Sequence, residues 1–88
     1  MATADSWPVE ISLREDDRVT LAEARLTRDR VGMVGNGLAR RNPDDREVTQ
    51  IGEEIAAARA LSDLAHQLLS YAAGQIEEIT HERAHLQM

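Results

Sequence analysis

The sequence lacks cysteine, lysine and phenylalanine, and its only large aromatic side chains are those of Trp7 and Tyr71. Without cysteine, the chain can form neither a disulfide framework nor a thiolate metal site. Its apolar residues come in short runs, far below the roughly 20 residues that span a bilayer. Residues 1–7 also lack the basic and then apolar layout of a signal peptide. We therefore expect a cytoplasmic protein without membrane contact.

The scarcity of bulky side chains limits the core. A chain of 88 residues is one small domain, and folding buries only about 60–65% of the surface that such a chain exposes when unfolded. Leucine, isoleucine, valine and many alanines must fill the interior, and each alanine buries little area. We expect the stability of the fold to depend on the surface of a partner.

Acidic residues outnumber basic ones, and the formal net charge is -6. This charge argues against a general binder of nucleic acids or anionic membranes. The basic residues are all arginine. Six of them lie in residues 25–46 beside three acidic residues, whereas residues 47–88 hold two arginines and seven acidic residues. The chain therefore has a mildly basic middle and an acidic second half.

Three segments have the pattern of β-strands. Apolar and polar residues alternate in residues 7–14, as in a strand with one buried face, and again in residues 20–27. Residues 31–40 form a third strand segment that contains three glycines. Strand glycines mark a bulge, a bend or the close approach of another backbone. The face of the third strand that points inward therefore stays open.

A turn signal at Asn42-Pro43-Asp44-Asp45 precedes a helical repeat. The repeat predicts a helix over residues 48–73 that ends or kinks at Gly74, followed by a short helical segment in residues 75–80. Its apolar stripe is formed by Val48, Ile51, Ile55, Ala58, Ser62, Ala65, Leu69 and Ala72, and is widened along one flank by Leu61, Leu64 and Leu68. Its predicted solvent face carries Glu53, Glu54, Arg59, Asp63 and Gln67.

These patterns predict an α+β fold, in which a three-stranded antiparallel sheet is followed by one long amphipathic helix. We expect a flexible N-terminus in residues 1–8, a single domain in residues 9–80 and a frayed tail in residues 81–88. A helix of roughly 25 residues spans about 37 Å, whereas strands of six to eight residues span about 20–27 Å. The helix should overhang the sheet, and a homodimer would cover the excess. The expected dimer contacts are Leu68, Leu69, Ala72 and Ile76.

Three motifs have the residue types of a metal site, a catalytic triad or a phosphate-binding loop, but the surrounding sequence argues against each of these sites. His81-Glu82-Arg83-Ala84-His85 matches the zinc-protease pattern H-E-x-x-H, but only three residues follow to supply a third ligand. Ser62, Asp63 and His66 lie on one helix and cannot converge as a triad. The glycines of the third strand match neither the dinucleotide fingerprint nor the phosphate-binding loop. We expect no enzyme, no cofactor, no metal and no small-molecule substrate.

A family resemblance is carried by Gly37-Leu38-Ala39-Arg40, Asn42-Pro43, Asp45-Arg46, Ile51-Gly52-Glu53-Glu54 and Ala58-Arg59-Ala60-Leu61-Ser62-Asp63-Leu64, and by Ile76-Glu77 and Thr80-His81. In these segments the chain resembles a small actinobacterial family of unknown function, whose best-known members are mycobacterial proteins induced in hypoxic dormancy. The resemblance spans roughly residues 9–81. It implies a β-β-β-α fold related to double-stranded-RNA-binding domains, and a dimer. The likeness of that fold to ribosome hibernation factors implies a role in shutting down translation under stress.

Two functional hypotheses follow. In the first, a dimeric stress protein contacts the ribosome through arginines, the candidates being Arg25, Arg28, Arg40 and Arg41. In the second, the protein is a non-enzymatic protein–protein interaction module that does not bind nucleic acid.

Overall fold

The computed structural model describes residues 4–41, 49–81, 84 and 86. Three strands, β1 (Val9–Asp16), β2 (Val19–Arg28) and β3 (Val31–Arg40), are followed by one helix, α1 (Thr49–Thr80). The strands form an antiparallel sheet in the order β1-β2-β3. The predicted α+β architecture of three strands and one long helix is confirmed. The predicted turn in residues 42–45 lies outside the described residues.

Two tight hairpin turns connect the strands. Asp17 and Asp29 open these turns with positive φ values of 57° and 51°, a conformation that aspartate tolerates better than most residues. The pairing of β2 with β3 continues in one register from Val19↔Arg40 to Arg28↔Val31, without an inserted residue. The glycines of β3 therefore do not mark a bulge.

Two of the three glycines of β3 mark the close approach of the helix. A Cβ atom added at Gly35 would overlap the carbonyl oxygen of Ala60, and one at Gly37 would overlap that of Ala56. Because both glycines lack a side chain, the helix backbone lies directly on β3. The core that results is built mainly of alanine: Ala22, Ala24, Leu26, Ala39, Ala56, Ala60 and Leu64 are its buried apolar residues.

The buried face of α1 agrees with the predicted stripe only along its flank, where Leu64 is buried and Leu68 packs against the core. The predicted stripe would bury Ile51, Ile55, Ala58 and Ser62, but all four are exposed and point away from the sheet. The cause is the shallow contact over the β3 glycines, which accepts alanine and leaves no room for isoleucine. Val48, the first residue of the predicted stripe, lies outside the described residues.

The helix also ends later than predicted, because it continues through Gly74 to Thr80 as one element. A single glycine inside a helix costs only about 1 kcal/mol relative to alanine, too little to stop a helix of this length. The helix ends where His81 adopts a positive φ of 60° and donates its backbone N–H to the Glu77 carbonyl, at 2.7 Å. The predicted separate segment in residues 75–80 is thus the end of α1.

Candidate interaction surfaces

The outer edge of β3 is closed by three helix side chains. Arg59 donates from Nη1 to the Leu38 carbonyl at 2.7 Å. The Asp63 carboxylate accepts the backbone N–H of Asn36 at 2.8 Å. Gln67 donates from Nε2 to the Val34 carbonyl at 2.7 Å. We call Arg59, Asp63 and Gln67 the edge ladder.

The spacing of the edge ladder follows from helix and strand geometry. Four helical residues rise about 6 Å, and two strand residues advance about 6.7 Å. Side chains at every fourth position of α1 therefore reach every second residue of β3. Arg59 is exposed, as predicted, whereas Asp63 and Gln67 are half-buried. The sequence pattern does not predict that all three side chains bond the backbone of a strand.

At the opposite edge of the sheet, β1, no side chain in the described part of the chain provides such cover. Val9, Ile11 and Leu13 pair with Leu26, Ala24 and Ala22, so they lie on the helix side of the sheet. The helix packs against β3 and β2 and barely touches β1. The three β1 side chains stay 38–42% exposed. The sequence prediction that this row is buried is wrong, because one helix placed over the β3 glycines does not reach the third strand.

A cavity of about 280 Å³ lies where the C-terminal half of α1 passes the end of the sheet. Its walls combine apolar side chains of both layers: Trp7, Leu26, Val31, Met33, Leu68, Leu69, Tyr71 and Ala72, with Arg28 and Gln75. The guanidinium carbon of Arg28 lies 4.1 Å from the centre of the Trp7 ring. Three of the four predicted dimer contacts, Leu68, Leu69 and Ala72, thus line this cavity. Ile76, the fourth, is exposed one turn further along the helix.

The four candidate arginines do not converge. The Nη2 atom of Arg25 lies 3.4 Å from Oε2 of Glu23, and both side chains are more than half exposed. Arg28 stacks on Trp7 on the opposite face of the sheet. Arg40 pairs with Val19 at the other end of β2, about 20 Å along the strand from Arg25. Arg41 follows β3 and donates its backbone N–H to Arg18 at 2.8 Å.

The residues of the rejected catalytic motif serve the fold. Asp63 belongs to the edge ladder, and the Nδ1 atom of His66 lies 2.8 Å from the backbone carbonyl oxygen of Ser62. In the part of the chain that the structure describes, no group of three or more metal-ligand side chains is assembled. Glu82, Arg83 and His85 of the H-E-x-x-H match lie outside that part. Within it, no helix has the length and apolar content to cross a membrane.

Comparison with known proteins places this fold in a family. A family model described as Rv2632c-like matches residues 5–85. The chain belongs to the Rv2632c-like family. The uncharacterised protein Mb1767 of Mycobacterium bovis is 48% identical to it over 80 residues, which cover 91% of this chain and 85% of that protein. The uncharacterised protein Rv2632c of Mycobacterium tuberculosis is 49% identical over 74 residues, covering 84% and 80% of the two chains.

A crystal structure of Rv2632c matches the fold with a TM-score of 0.85 and 44% sequence identity, over 92% of this chain and 96% of that one. The family match confirms the part of the resemblance that concerned a mycobacterial family of unknown function. The solved structure supports the three strands and the long helix.

Proposed function

We propose that this protein is a non-enzymatic protein–protein interaction module that works as a homodimer. The observation that carries the proposal is the amount of apolar surface left outside the core. In the described part of the chain, no large side chain is fully buried. Contiguous apolar surface of this kind typically marks an interaction site on a soluble protein.

Two apolar surfaces are available for self-association. The first is the half-exposed row of β1, which extends to Trp7. The second is a stripe along α1, in which residues recur at alternating intervals of four and three: Ile51, Ile55, Ala58, Ser62, Ala65, Leu69, Ala72 and Ile76. Its first four residues are exposed, and Ala65, Leu69 and Ala72 are half-buried. This interval is typical of helices that pack against another helix. Beyond the cavity, Ile79 is 79% exposed, so the helix end also offers apolar area.

Ribosome binding during dormancy is the competing hypothesis, and it requires a basic surface. The four candidate arginines lie on two faces and toward both ends of the sheet. Arg25 is beside Glu23, and Arg28 is stacked on an aromatic ring. The geometry therefore favours a protein partner over ribosomal RNA.

Two measurements test the proposal. Sedimentation equilibrium between about 1 and 100 µM should give the mass of two chains. In co-sedimentation with ribosomes at low salt, the protein should stay in the supernatant. A monomer mass over the whole range would contradict the homodimer.

Pelleting that is lost in an Arg25→Glu, Arg40→Glu variant and retained in Arg30→Glu would instead establish the ribosome hypothesis. Arg30 is an exposed turn residue outside the candidate set, so it controls for the general loss of positive charge.

A further inference from the structure

The open edge of β1 offers backbone hydrogen bonds and charges that match a second copy of itself. We propose that the β1 strands of two chains pair antiparallel about a two-fold axis through Ser12, and thereby form one six-stranded sheet. This inference rests on the proposed homodimer and specifies its interface.

The direction of the backbone groups in β3 is known from the edge ladder. Val34, Asn36 and Leu38 turn their N–H or C=O groups outward, toward the helix side chains. In an antiparallel strand, both groups of one residue point to the same side, and successive residues alternate. The odd-numbered residues of β3 therefore direct their backbone N–H and C=O groups toward β2. The bond from the Arg41 N–H to the Arg18 carbonyl continues this pattern.

The register carries the alternation across to β1. Ala24 pairs with Gly35, whose backbone groups point toward β2. Ala24 therefore directs its own backbone groups toward β3. The neighbouring residue Glu23 must then direct its backbone groups toward β1, where it pairs with Ser12. Because Ser12 is bonded to β2, the adjacent residues Ile11 and Leu13 direct their N–H and C=O groups to the open edge.

Pairing about Ser12 uses these open groups. Ile11 lies opposite Leu13 of the second copy, and Val9 lies opposite Glu15. In each such pair, both residues have outward-facing backbone groups and exchange two hydrogen bonds. Ile11 and Leu13 also share the helix side of the sheet, so the paired strands cover the flanks of each other's apolar row.

The charges of β1 select this register. Glu10 and Arg14 lie two residues on either side of Ser12, so each meets the opposite charge of the second copy. These are non-hydrogen-bonded pairs, in which Cα atoms approach to about 4.5 Å and side chains are closest. Among the described residues, the side chains of Glu10 and Arg14 make no hydrogen bond or ion pair, although Glu10 lies opposite Arg25 of β2.

The neighbouring registers lack this match. Pairing about Leu13 would place Glu10 opposite Asp16, which repels it. Pairing about Ile11 would place Glu10 opposite Ser12, so its charge would have no opposite charge across the interface. A shift of a single residue between the strands would turn the apolar row to the opposite face. The dimer also closes, because the outermost strands of the six-stranded sheet are the two β3 strands that the edge ladders cover.

Charge reversal tests the register. Glu10→Arg alone places two like-charge pairs in the interface, and Arg14→Glu alone does the same, so each variant should raise the dimer Kd at least about tenfold. An equimolar mixture of the two variants should form a heterodimer, because each position then meets its opposite charge. The double variant Glu10→Arg, Arg14→Glu should dimerise like the wild type, and it controls for effects on folding.

Cross-linking gives a second measurement that does not depend on charge. In the proposed dimer the two Ser12 residues lie directly opposite each other, at a separation that a disulfide can bridge. Ser12→Cys, in a chain that otherwise has no cysteine, should form a cross-linked dimer under mild oxidation. Glu23→Cys is the matched control, since Glu23 is exposed on the same face but about 14 Å from its counterpart.

The outcomes separate the interface from the dimer itself. Single variants that dimerise as tightly as the wild type, or cross-linking no faster at Ser12→Cys than at Glu23→Cys, would overturn the β1 interface and leave the homodimer intact. A wild-type chain that is monomeric at every concentration would overturn both.

Discussion

The two edges of the sheet, β3 and β1, differ in whether side chains of the helix bond their outward backbone groups. At β3, the side chains of Arg59, Asp63 and Gln67 each bond one outward backbone group, so half of the outward groups of Val34, Asn36 and Leu38 are occupied by the helix. At β1, the helix makes little contact, and an apolar row stays half exposed. Among the described residues, none bonds the outward backbone groups of this strand. An uncovered strand edge is a template for pairing with another chain. The comparison shows that a single off-centre helix can close one edge and leave the other for a partner.

The off-centre position has an identifiable cause. Gly35 and Gly37 let the backbone of α1 contact β3 directly through Ala56 and Ala60. Only this close approach brings the edge ladder within hydrogen-bond distance of the strand. Four predictions therefore test the difference between the edges, beginning with the glycines.

The largest effect is expected from Gly37→Val. The new side chain would overlap the backbone of α1 and force the helix off the sheet, so we expect a loss of about 3 kcal/mol or more in the free energy of unfolding. Urea denaturation at a fixed protein concentration measures it. Gly32→Ala is the control, because a Cβ there meets nothing within 4 Å. A similar loss in both variants would show that close packing is not what positions the helix.

Leu64→Ala should cost about 2.5 kcal/mol, because Leu64 is the largest buried side chain that the helix contributes to the core and is only 3% exposed. Leu61→Ala, one turn away at 41% exposure, should cost less than about 1 kcal/mol in the same denaturation experiment. Equal losses would mean that the helix buries a different face from the one described.

Asp63→Ala should cost about 1 kcal/mol and should speed hydrogen exchange at the Asn36 amide, since the carboxylate that accepts this N–H is removed. Asp63→Asn keeps an acceptor oxygen at the same position and should retain most of the protection. Unchanged exchange at Asn36 in the alanine variant would count against a closed β3 edge. NMR measures the exchange residue by residue.

The smallest effect concerns the end of β1. Arg28→Ala removes the cation stacked on Trp7 and should cost about 0.5 kcal/mol, with a change in tryptophan fluorescence that reports only this site, since Trp7 is the single tryptophan. Arg30→Ala, in the adjacent turn, should leave the emission unchanged. If both variants alter it equally, the contact does not hold Trp7 against the sheet.

The strands were predictable because alternation and turn chemistry are local signals. Residues 31–40 are predicted as a strand with the bounds that the structure has. The helix is predicted to end at Gly74, because glycine has a low helix propensity. The helix-forming residues on both sides of Gly74 outweigh this cost, so the helix continues. The buried face is predicted only in part, at Leu64, for another reason. Large apolar residues dominate a periodicity analysis, whereas most of the contact is made by Ala56 and Ala60.

The edge ladder left a weaker trace in the sequence. Arg59, Asp63 and Gln67 recur at intervals of four, which is also the pattern of a solvated helix face. No local property distinguishes a polar side chain that meets water from one that meets a strand. The interval of four residues indicates a contact with β3 only once the structure shows that β3 runs beside α1 and advances by the same distance every two residues.

The sequence by itself determined the elements, their order and the acidic character of the chain, because propensity, alternation and turn preferences act over a few residues. The tertiary structure decided which helix face is buried, which strand edge is closed and which apolar row is left outside. Those outcomes depend on the contact of Gly35 and Gly37 with α1, and that contact joins residues more than 15 positions apart in the chain.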